Sequence, residues 1–208
     1  MWTTARVEAF SDGVFAIAIT LLVLEIKIEP ADFQHLWRAL GEEWPSYLAY
    51  VTGFLTVGGV WLAHHELFTQ LREVDAKLMR LNVLLLMVAA FLPFPTGLLA
   101  QAFDESRAAE RAAVVVYGAT AVLIEGLLGA MRHYAAAHEE LVDGEAPPDP
   151  VGVRRVVAHP TLYGVSIVAG VLLLPRLAAV AYLLIAARAV LLPGREGRLS
   201  LRWITPSG

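Results

Sequence analysis

The sequence has no cysteine and few charged residues, and both shortages narrow its class. Without a thiol, the chain can form no disulfide, iron–sulfur cluster or thiolate metal site. Charged residues make up 17% of the 208 residues, against about 25% in a typical soluble domain. The net charge of −4 argues against a nucleic-acid partner. Because 57% of the residues are hydrophobic, the composition predicts an all-α integral membrane protein in contact with the lipid bilayer.

Long runs without a formal charge predict six transmembrane helices in a single domain, residues 1–208. A bilayer core roughly 30 Å thick needs about 20 apolar residues in a helix. The approximate ranges are 6–26, 44–69, 77–101, 109–131, 154–175 and 177–192. With this arrangement, eleven of the sixteen Lys and Arg residues fall on the side of the N-terminus. The positive-inside rule then places both termini in the cytoplasm.

The first helix has an uncharged run too short to face lipid on all sides. Only twelve residues separate Asp12 from Glu25, so we expect neighbouring helices to surround this helix. Helical spacing places one set of its residues on a single face: Phe10, Gly13, Ile17, Thr20 or Leu21, and Leu24. Another face carries Phe15, Ile19, Leu22 and Ile26. Two interpretations stay open here, because a face with small residues suits tight helix packing as well as a pore.

A polar signature opens the first helix. The run Arg6-x-x-x-Phe10-Ser11-Asp12 resembles the signature of the transmembrane protein 175 family, and the next fourteen residues resemble its bacterial form. The likeness extends to Trp61-Leu-Ala-His64-His65 in the second helix, and to Leu81-Asn82 and Pro93-Phe94-Pro95-Thr96 in the third. These motifs occupy roughly the first half of the chain, and the second half matches in hydropathy and length only. The family comprises potassium-permeable channels of lysosomes and endosomes, with shorter bacterial relatives.

This resemblance implies an assembly and a mechanism. The animal channels carry two six-helix repeats per chain and dimerise, so a single-repeat chain implies a homotetramer whose first helices line a central pore. Carried over by position, Ile17 forms the principal apolar ring, and Leu21 and Leu24 lie outward of it. Thr20 offers a hydroxyl beside that ring, and Gly13 lies on the same face. The family lacks a carbonyl filter. We expect no cofactor, and we expect the permeant ions to be potassium and other monovalent cations. An apolar ring narrower than a hydrated ion empties of water and stops cations until the helices move apart.

The polar residues at the two ends of this helix need separate explanations. Glu25 lies near the outer mouth, as part of an acidic ring that concentrates cations or as a solvated boundary charge. Ser11 and Asp12 lie where the helix enters the membrane, and an unpaired carboxylate at that depth is costly. Their candidate partners are Arg6, His64, His65 and Asn82. We expect this set to anchor the helix and to affect gating, rather than to bind the ion directly.

Two other transport functions stay open. A proton-coupled secondary transporter would use Asp12 and Glu125 as proton carriers, although such transporters usually contain internal repeats and none is evident in the sequence. A proton-leak channel would use water in the same pore. An enzyme is not expected, since neither H-E-x-x-H nor G-x-S-x-G occurs. The single-repeat form suggests a prokaryotic plasma membrane, by analogy with the short relatives.

Overall fold

The chain folds as a bundle of α-helices, seen in a computed structural model that describes residues 2–28, 30–103, 105–142, 162, 164–168 and 175–191. The helices are α1 (Thr4–Leu21), α2 (Leu36–Glu42), α3 (Trp44–Phe68), α4 (Ala76–Phe91), α5 (Pro93–Gln101), α6 (Arg107–Ala136) and α7 (Pro175–Leu191). Residues 164–168 are also helical. Short 3-10 helices span Leu22–Glu25, Pro30–His35 and Glu139–Leu141. Strands β1 (Trp2–Thr3) and β2 (Glu73–Val74) pair antiparallel.

Four helices in the described ranges are long and apolar enough to cross a membrane. They are Thr4–Glu25, Trp44–Phe68, Ala76–Gln101 and Arg107–Ala136, and they correspond to the first four predicted helices. Helix α7 corresponds to the predicted helix 177–192. The predicted fifth helix, 154–175, lies outside the described residues except for Leu162, residues 164–168 and Pro175. The all-helical membrane character is therefore confirmed, and the count of six stays a prediction.

The structure divides the predicted third helix, 77–101, at Leu92, and this corrects the single continuous helix that we expected. Pro93 and Pro95 have no backbone N–H, so neither can donate to the helical ladder. The Leu92 N–H donates to the carbonyl of Ala89 at 3.1 Å, in a tighter 3-10 pattern. The Thr96 N–H and hydroxyl then both donate to the Leu92 carbonyl, at 3.1 and 2.9 Å. These bonds satisfy the carbonyl at the break, and α5 continues the span.

Helix α6, Arg107–Ala136, is longer than the predicted helix, 109–131. At its start the Ser106 hydroxyl caps the helix by accepting a hydrogen bond from the Ala109 N–H at 3.1 Å. At its other end the sequence pattern placed a boundary before Arg132, because a charge ends the apolar run. The Arg132 guanidinium instead donates to the carbonyl of Ala63 at 3.2 Å and lies 3.6 Å from Glu66. The helix therefore continues past the charge to Ala136.

The base of α1 is fastened to the loop between α3 and α4, because β1 pairs with β2 in that loop. Next to β2, Asp75 caps α4 by accepting hydrogen bonds from the backbone N–H groups of Lys77 and Leu78, at 3.1 and 2.8 Å. The Tyr134 hydroxyl donates to the other carboxylate oxygen at 2.6 Å. Burial alone would raise the pKa of Asp75, but the Tyr134 bond and the two backbone bonds outweigh it and lower the pKa below its usual value. Their stabilising contribution is present at neutral pH and is lost as the pH falls through the lowered pKa.

Helix α3 lies at the centre of the bundle and packs against α1, α5, α6 and α7. The rings of Tyr117 on α6 and Tyr182 on α7 stack with their centroids 5.2 Å apart. Tyr117 shares a hydrogen bond of 2.8 Å with Thr56 on α3. The Tyr182 hydroxyl donates to the Val114 carbonyl at 3.0 Å. Both buried phenols thus have partners, and they join three helices.

Gly118→Ala should destabilise this centre, because a β-carbon there overlaps the side chains of Tyr182 and Ile167. We expect the free energy of unfolding to fall by about 1–3 kcal/mol, the usual cost of overpacking. Gly126→Ala on the same helix is the matched control, since nothing lies within 4 Å of a β-carbon at that position. Thermal unfolding in detergent, followed by tryptophan fluorescence, compares the two variants. Equal melting temperatures would contradict the close packing of α6 on α7.

Candidate functional site

One face of α1 and of the 3-10 turn that follows it is apolar, and the described residues of the chain leave it exposed. Ile17 is 61% exposed, and the other exposed members of this face are Phe10, Gly13, Thr20, Leu21 and Leu24. The buried residues of α1 lie on the opposite side: Val7, Ser11, Phe15 and Ala18. The predicted division of the helix into two faces is therefore present in the structure. We call the six exposed residues the open face.

The first span is also the least covered of the four candidate membrane spans. Its most apolar window is 28% buried, against 39%, 61% and 50% for the spans that follow. Its uncharged run, between Asp12 and Glu25, is twelve residues long, shorter than the roughly 20 apolar residues that cross a bilayer core. The first span thus combines a short uncharged run with an apolar face that is exposed in the described structure.

The two small residues of the open face, Gly13 and Thr20, are both exposed in the described structure. Nothing lies within 4 Å of a β-carbon built on Gly13. The Thr20 hydroxyl donates to the carbonyl of Ile17 at 2.9 Å. Its oxygen can still accept a hydrogen bond on the open side of the helix. The Thr20 oxygen is therefore a polar atom on the open face, next to the large apolar residue Ile17.

Glu25 ends the 3-10 turn and is half-buried rather than freely solvated. Its carboxylate lies against the backbone of α5 at Gly97, where a β-carbon would overlap the carboxylate atoms. The absent side chain at Gly97 is what makes room for this placement. The structure therefore gives the Glu25 side chain a definite position beside α5.

Three buried polar side chains join α1, α3 and α4 at the end of the bundle where α1 begins. Asn82 donates from Nδ2 to the Ser11 Oγ at 3.0 Å, and its Oδ1 lies 2.9 Å from Nε2 of His64. Ser11 in turn donates to the Val7 carbonyl at 2.8 Å. Ser11, His64 and Asn82 are all fully buried. These hydrogen bonds connect α1, α3 and α4, and each of the three buried side chains has a hydrogen-bond partner, as is usual for buried polar groups.

The geometry assigns the proton of His64. Because Asn82 presents its carbonyl oxygen, His64 must donate from Nε2, and Nδ1 carries the lone pair. Nδ1 is buried and has no hydrogen-bond partner in the described structure. The ring stacks on Phe68 at 4.2 Å and meets the edge of Phe15 at 5.4 Å, centroid to centroid. The histidine is therefore held by two aromatic rings and by a single hydrogen bond.

A second polar layer lies beside the first, and its pairing differs from our expectation. Asp12 accepts a hydrogen bond from Nε1 of Trp61 at 2.8 Å. His65 pairs with Glu8 at 2.6 Å, and its ring stacks on that of Trp61. No hydrogen bond or ion pair joins Arg6, which is exposed, to this layer in the described part of the chain. The structure thus brings five of the seven signature residues into these hydrogen-bonded layers: Ser11, Asp12, His64, His65 and Asn82. Phe10 lies on the open face, and Arg6 is exposed.

Sequence reasoning missed Trp61 and Glu8 as members of the layer. A signal for them exists, because Glu8 and Asp12 are one helical turn apart on α1, as are Trp61 and His65 on α3. Two such pairs on adjacent antiparallel helices meet in reverse order, which is what the structure shows.

The chain is similar to a known channel family and to two bacterial proteins named potassium channels. The family described as endosomal/lysosomal potassium channel TMEM175 matches residues 6–93. A protein named potassium channel from Streptomyces collinus is 56% identical over 113 residues, which cover 54% of this chain and 55% of that protein. Another protein named potassium channel, from Chamaesiphon minutus, is 41% identical over 146 residues, which cover 69% of this chain and 71% of that protein.

The similarity extends to an animal protein and to a solved structure. The endosomal/lysosomal proton channel TMEM175 of Mus musculus is 45% identical over 97 residues, covering 42% of this chain and 19% of the mouse protein. The crystal structure of a lysosomal potassium-selective channel TMEM175 homolog from Chamaesiphon minutus superposes with a TM-score of 0.79 at 35% identity. That match covers 90% of this chain and 96% of that chain. The chain therefore spans about half of the Streptomyces relative, a fifth of the mouse protein and nearly all of the solved homolog.

Ser11→Ala should destabilise the protein, because it leaves the buried Asn82 amide without its acceptor. An unsatisfied buried donor costs about 1–3 kcal/mol. Thr20→Val is the matched control on the same helix, since that hydroxyl also donates to a backbone carbonyl but is exposed. We expect the control to change the free energy of unfolding by less than about 0.5 kcal/mol. Thermal unfolding in detergent measures both, and an equal loss in the two variants would contradict the anchoring role of Ser11.

Proposed function

The chain belongs to the TMEM175 family of channels, and on that premise we propose that it conducts potassium passively through a pore lined by the first helices of four identical subunits. Each subunit would contribute six transmembrane helices. Bacterial relatives support a prokaryotic plasma membrane, and the distribution of Lys and Arg supports a cytoplasmic position for both termini. The family consists of channels, not enzymes, and the resident groups at this site would be side chains and permeant ions only.

The observation that carries this proposal is the open face of α1. An apolar face on a short, poorly covered span is stable when copies of the same helix meet around a shared axis. In that arrangement the charged ends of the span face water in the two mouths of the pore, which removes the cost of placing Asp12 and Glu25 next to lipid. The number four comes from the resemblance to channels that carry two six-helix repeats per chain and dimerise, which places four repeats around the axis.

The open face would close the pore by excluding water. Leu24 follows Ile17 by seven residues, or about 10–12 Å, at about 1.5 Å per residue in α1 and about 2.0 Å in the 3-10 turn. Rings of these side chains offer no hydrogen bond to water, so a narrow passage empties and a bare cation cannot cross. Opening then requires the α1 helices to tilt or rotate outward. In the open pore, the Thr20 oxygen is the polar group closest to the Ile17 ring, so it would be the first to contact a partly dehydrated ion.

The two layers of hydrogen-bonded polar side chains lie at the end of the bundle where α1 begins, and they would determine how α1 moves. Ser11 and Asp12 are bound to α3 and α4, on the side of α1 away from Ile17. They would act as a fixed base while the segment above them tilts. Asp12 is already engaged by Trp61, so its role would be to position the helix rather than to bind the ion.

Proton conduction through the same pore is the second candidate. It is favoured by the similarity to the mouse relative, whose name is that of a proton channel. A chain of water molecules in the opened pore carries protons as well as potassium. The two functions share the open face and differ in the ion that crosses.

Ile17→Asn should raise potassium flux into liposomes on the order of tenfold, which corresponds to a barrier lower by about 1.4 kcal/mol. The amides would hold water in the narrowest ring. Leu184→Asn is the matched control, because Leu184 on α7 is 63% exposed against 61% for Ile17. Its flux should equal that of the unmodified protein.

Flux driven by a potassium gradient alone and by a proton gradient alone would distinguish the two candidates. Potassium flux in the first condition supports the proposal, whereas flux only under the proton gradient favours the second candidate. If correctly assembled Ile17→Asn conducts no more potassium than the control, the gate lies elsewhere on the open face.

A further inference from the structure

A short segment between the first two spans presents an apolar side that no part of the described chain covers. The segment comprises the 3-10 helix Pro30–His35 and helix α2, Leu36–Glu42. Trp37 is 89% exposed, Phe33 is 62% exposed and Leu36 is 40% exposed. Phe33 lies in the 3-10 helix, and Leu36 and Trp37 lie in the first turn of α2. We call these three exposed side chains the apolar patch. We call residues 30–42 the connecting segment.

The opposite side of the connecting segment is polar. Within α2, residues 38 and 42 lie roughly opposite residues 36 and 37 at about 100° per residue, and within the 3-10 helix, with about three residues per turn, His35 lies about 120° from Phe33. There Arg38 donates from Nε to Glu42 at 2.8 Å, and both side chains are well exposed. This i,i+4 ion pair belongs in water, since a bare pair in an apolar environment carries a large desolvation cost. The segment is therefore amphipathic, with one side suited to water and one side unsuited to it.

The attachment of the segment fixes its height at the edge of the membrane. It begins five residues after Glu25, where the first span ends, and it stops two residues before Trp44, where α3 begins. Its contacts with the bundle are few: Ala39 is buried, and the Tyr47 hydroxyl donates to the Leu40 carbonyl at 3.0 Å. The patch is thus held at the level where two membrane spans reach the surface.

We infer that the connecting segment lies flat on the membrane surface, with Phe33, Leu36 and Trp37 inserted at the boundary between lipid headgroups and acyl chains. Tryptophan is enriched at this depth because its ring is apolar and its N–H is polar. Amphipathic helices with Trp, Phe or Leu on one side bind in this plane. On α3, which follows the connecting segment along the chain, Trp44, Val51 and Phe54 are exposed as well. The lipid that contacts α3 would extend without a break beneath the connecting segment.

This placement goes beyond conduction. The segment joins the outer end of the pore helix to α3, so its insertion would hold that end at a fixed depth. Lipid packing at one membrane surface would then act directly on the polypeptide that leads out of the open face.

The cysteine-free chain permits a direct test by spin labelling. Single variants Phe33→Cys and Trp37→Cys label the apolar side, and His35→Cys and Glu42→Cys label the polar side as matched controls. Phe54→Cys provides the reference for a site within a span. All five positions are exposed, so the label needs no space inside the bundle. Each full-length protein is reconstituted in liposomes of phosphatidylcholine and phosphatidylglycerol, and power saturation compares access of oxygen, which concentrates in lipid, with access of a water-soluble nickel chelate.

The inference predicts that oxygen access exceeds nickel access at 33 and 37, that nickel access exceeds oxygen access at 35 and 42, and that the ratio differs several-fold between the two sides. High nickel access at all four positions would overturn it, because the segment would then stand in water. Low access to both reagents at 33 and 37 would also overturn it and would indicate a contact with a neighbouring subunit. A second measurement uses lipids that are brominated on the acyl chains and quench tryptophan fluorescence. Weaker quenching in Trp37→Phe than in the unmodified protein would support the inference independently, and unchanged quenching would count against it.

Discussion

The buried hydrogen bonds that join Ser11, Asn82 and His64 determine which side of α1 faces away from its own chain. All three side chains are fully inaccessible, and each bond has one partner on a different helix. A rotation of α1 by one residue, about 100°, would carry the Ser11 hydroxyl off Asn82 and leave a buried donor unsatisfied. Tertiary packing alone tolerates small rotations of an apolar helix, whereas this chain of hydrogen bonds does not. The open face therefore follows from three polar residues that lie on the other side of the helix.

The end of α1 that leads into the 3-10 turn is held by close side-chain packing. Gly53 on α3 allows Leu22 and Thr96 to approach so closely that a β-carbon there would lie 2.9 Å from Leu22 and 3.0 Å from Thr96. Gly97 makes the corresponding space for Glu25. With both ends fixed, the open face between them is the part of α1 that is free to meet another subunit. Any widening there must involve the bonded base, the packed outer end, or a bend in the helix between them.

The sequence predicted the features that depend on one helix at a time. Runs without charge located the first four spans, and helical spacing separated Ile17 from Phe15 and Leu22, because both signals are local. It missed features that depend on how helices are rotated against each other. The match of Trp61 with Asp12 requires the register of α3 against α1, and the continuation of α6 past Arg132 requires the Ala63 carbonyl within reach of the guanidinium. The break at Leu92 was accessible from Pro93 and Pro95, but apolar length outweighed the prolines in defining that span.

The central claim is that the open face of one subunit meets the same face of the others around a common axis. Disulfide formation by Ile17→Cys in liposomes tests it most directly, because the chain has no other thiol. Leu184→Cys is the control, since it is equally exposed but lies on α7. A shared axis predicts that mild oxidation converts most Ile17→Cys chains to covalent dimers, while Leu184→Cys stays monomeric. Ile17→Cys that stays monomeric while Leu184→Cys forms dimers would contradict the claim.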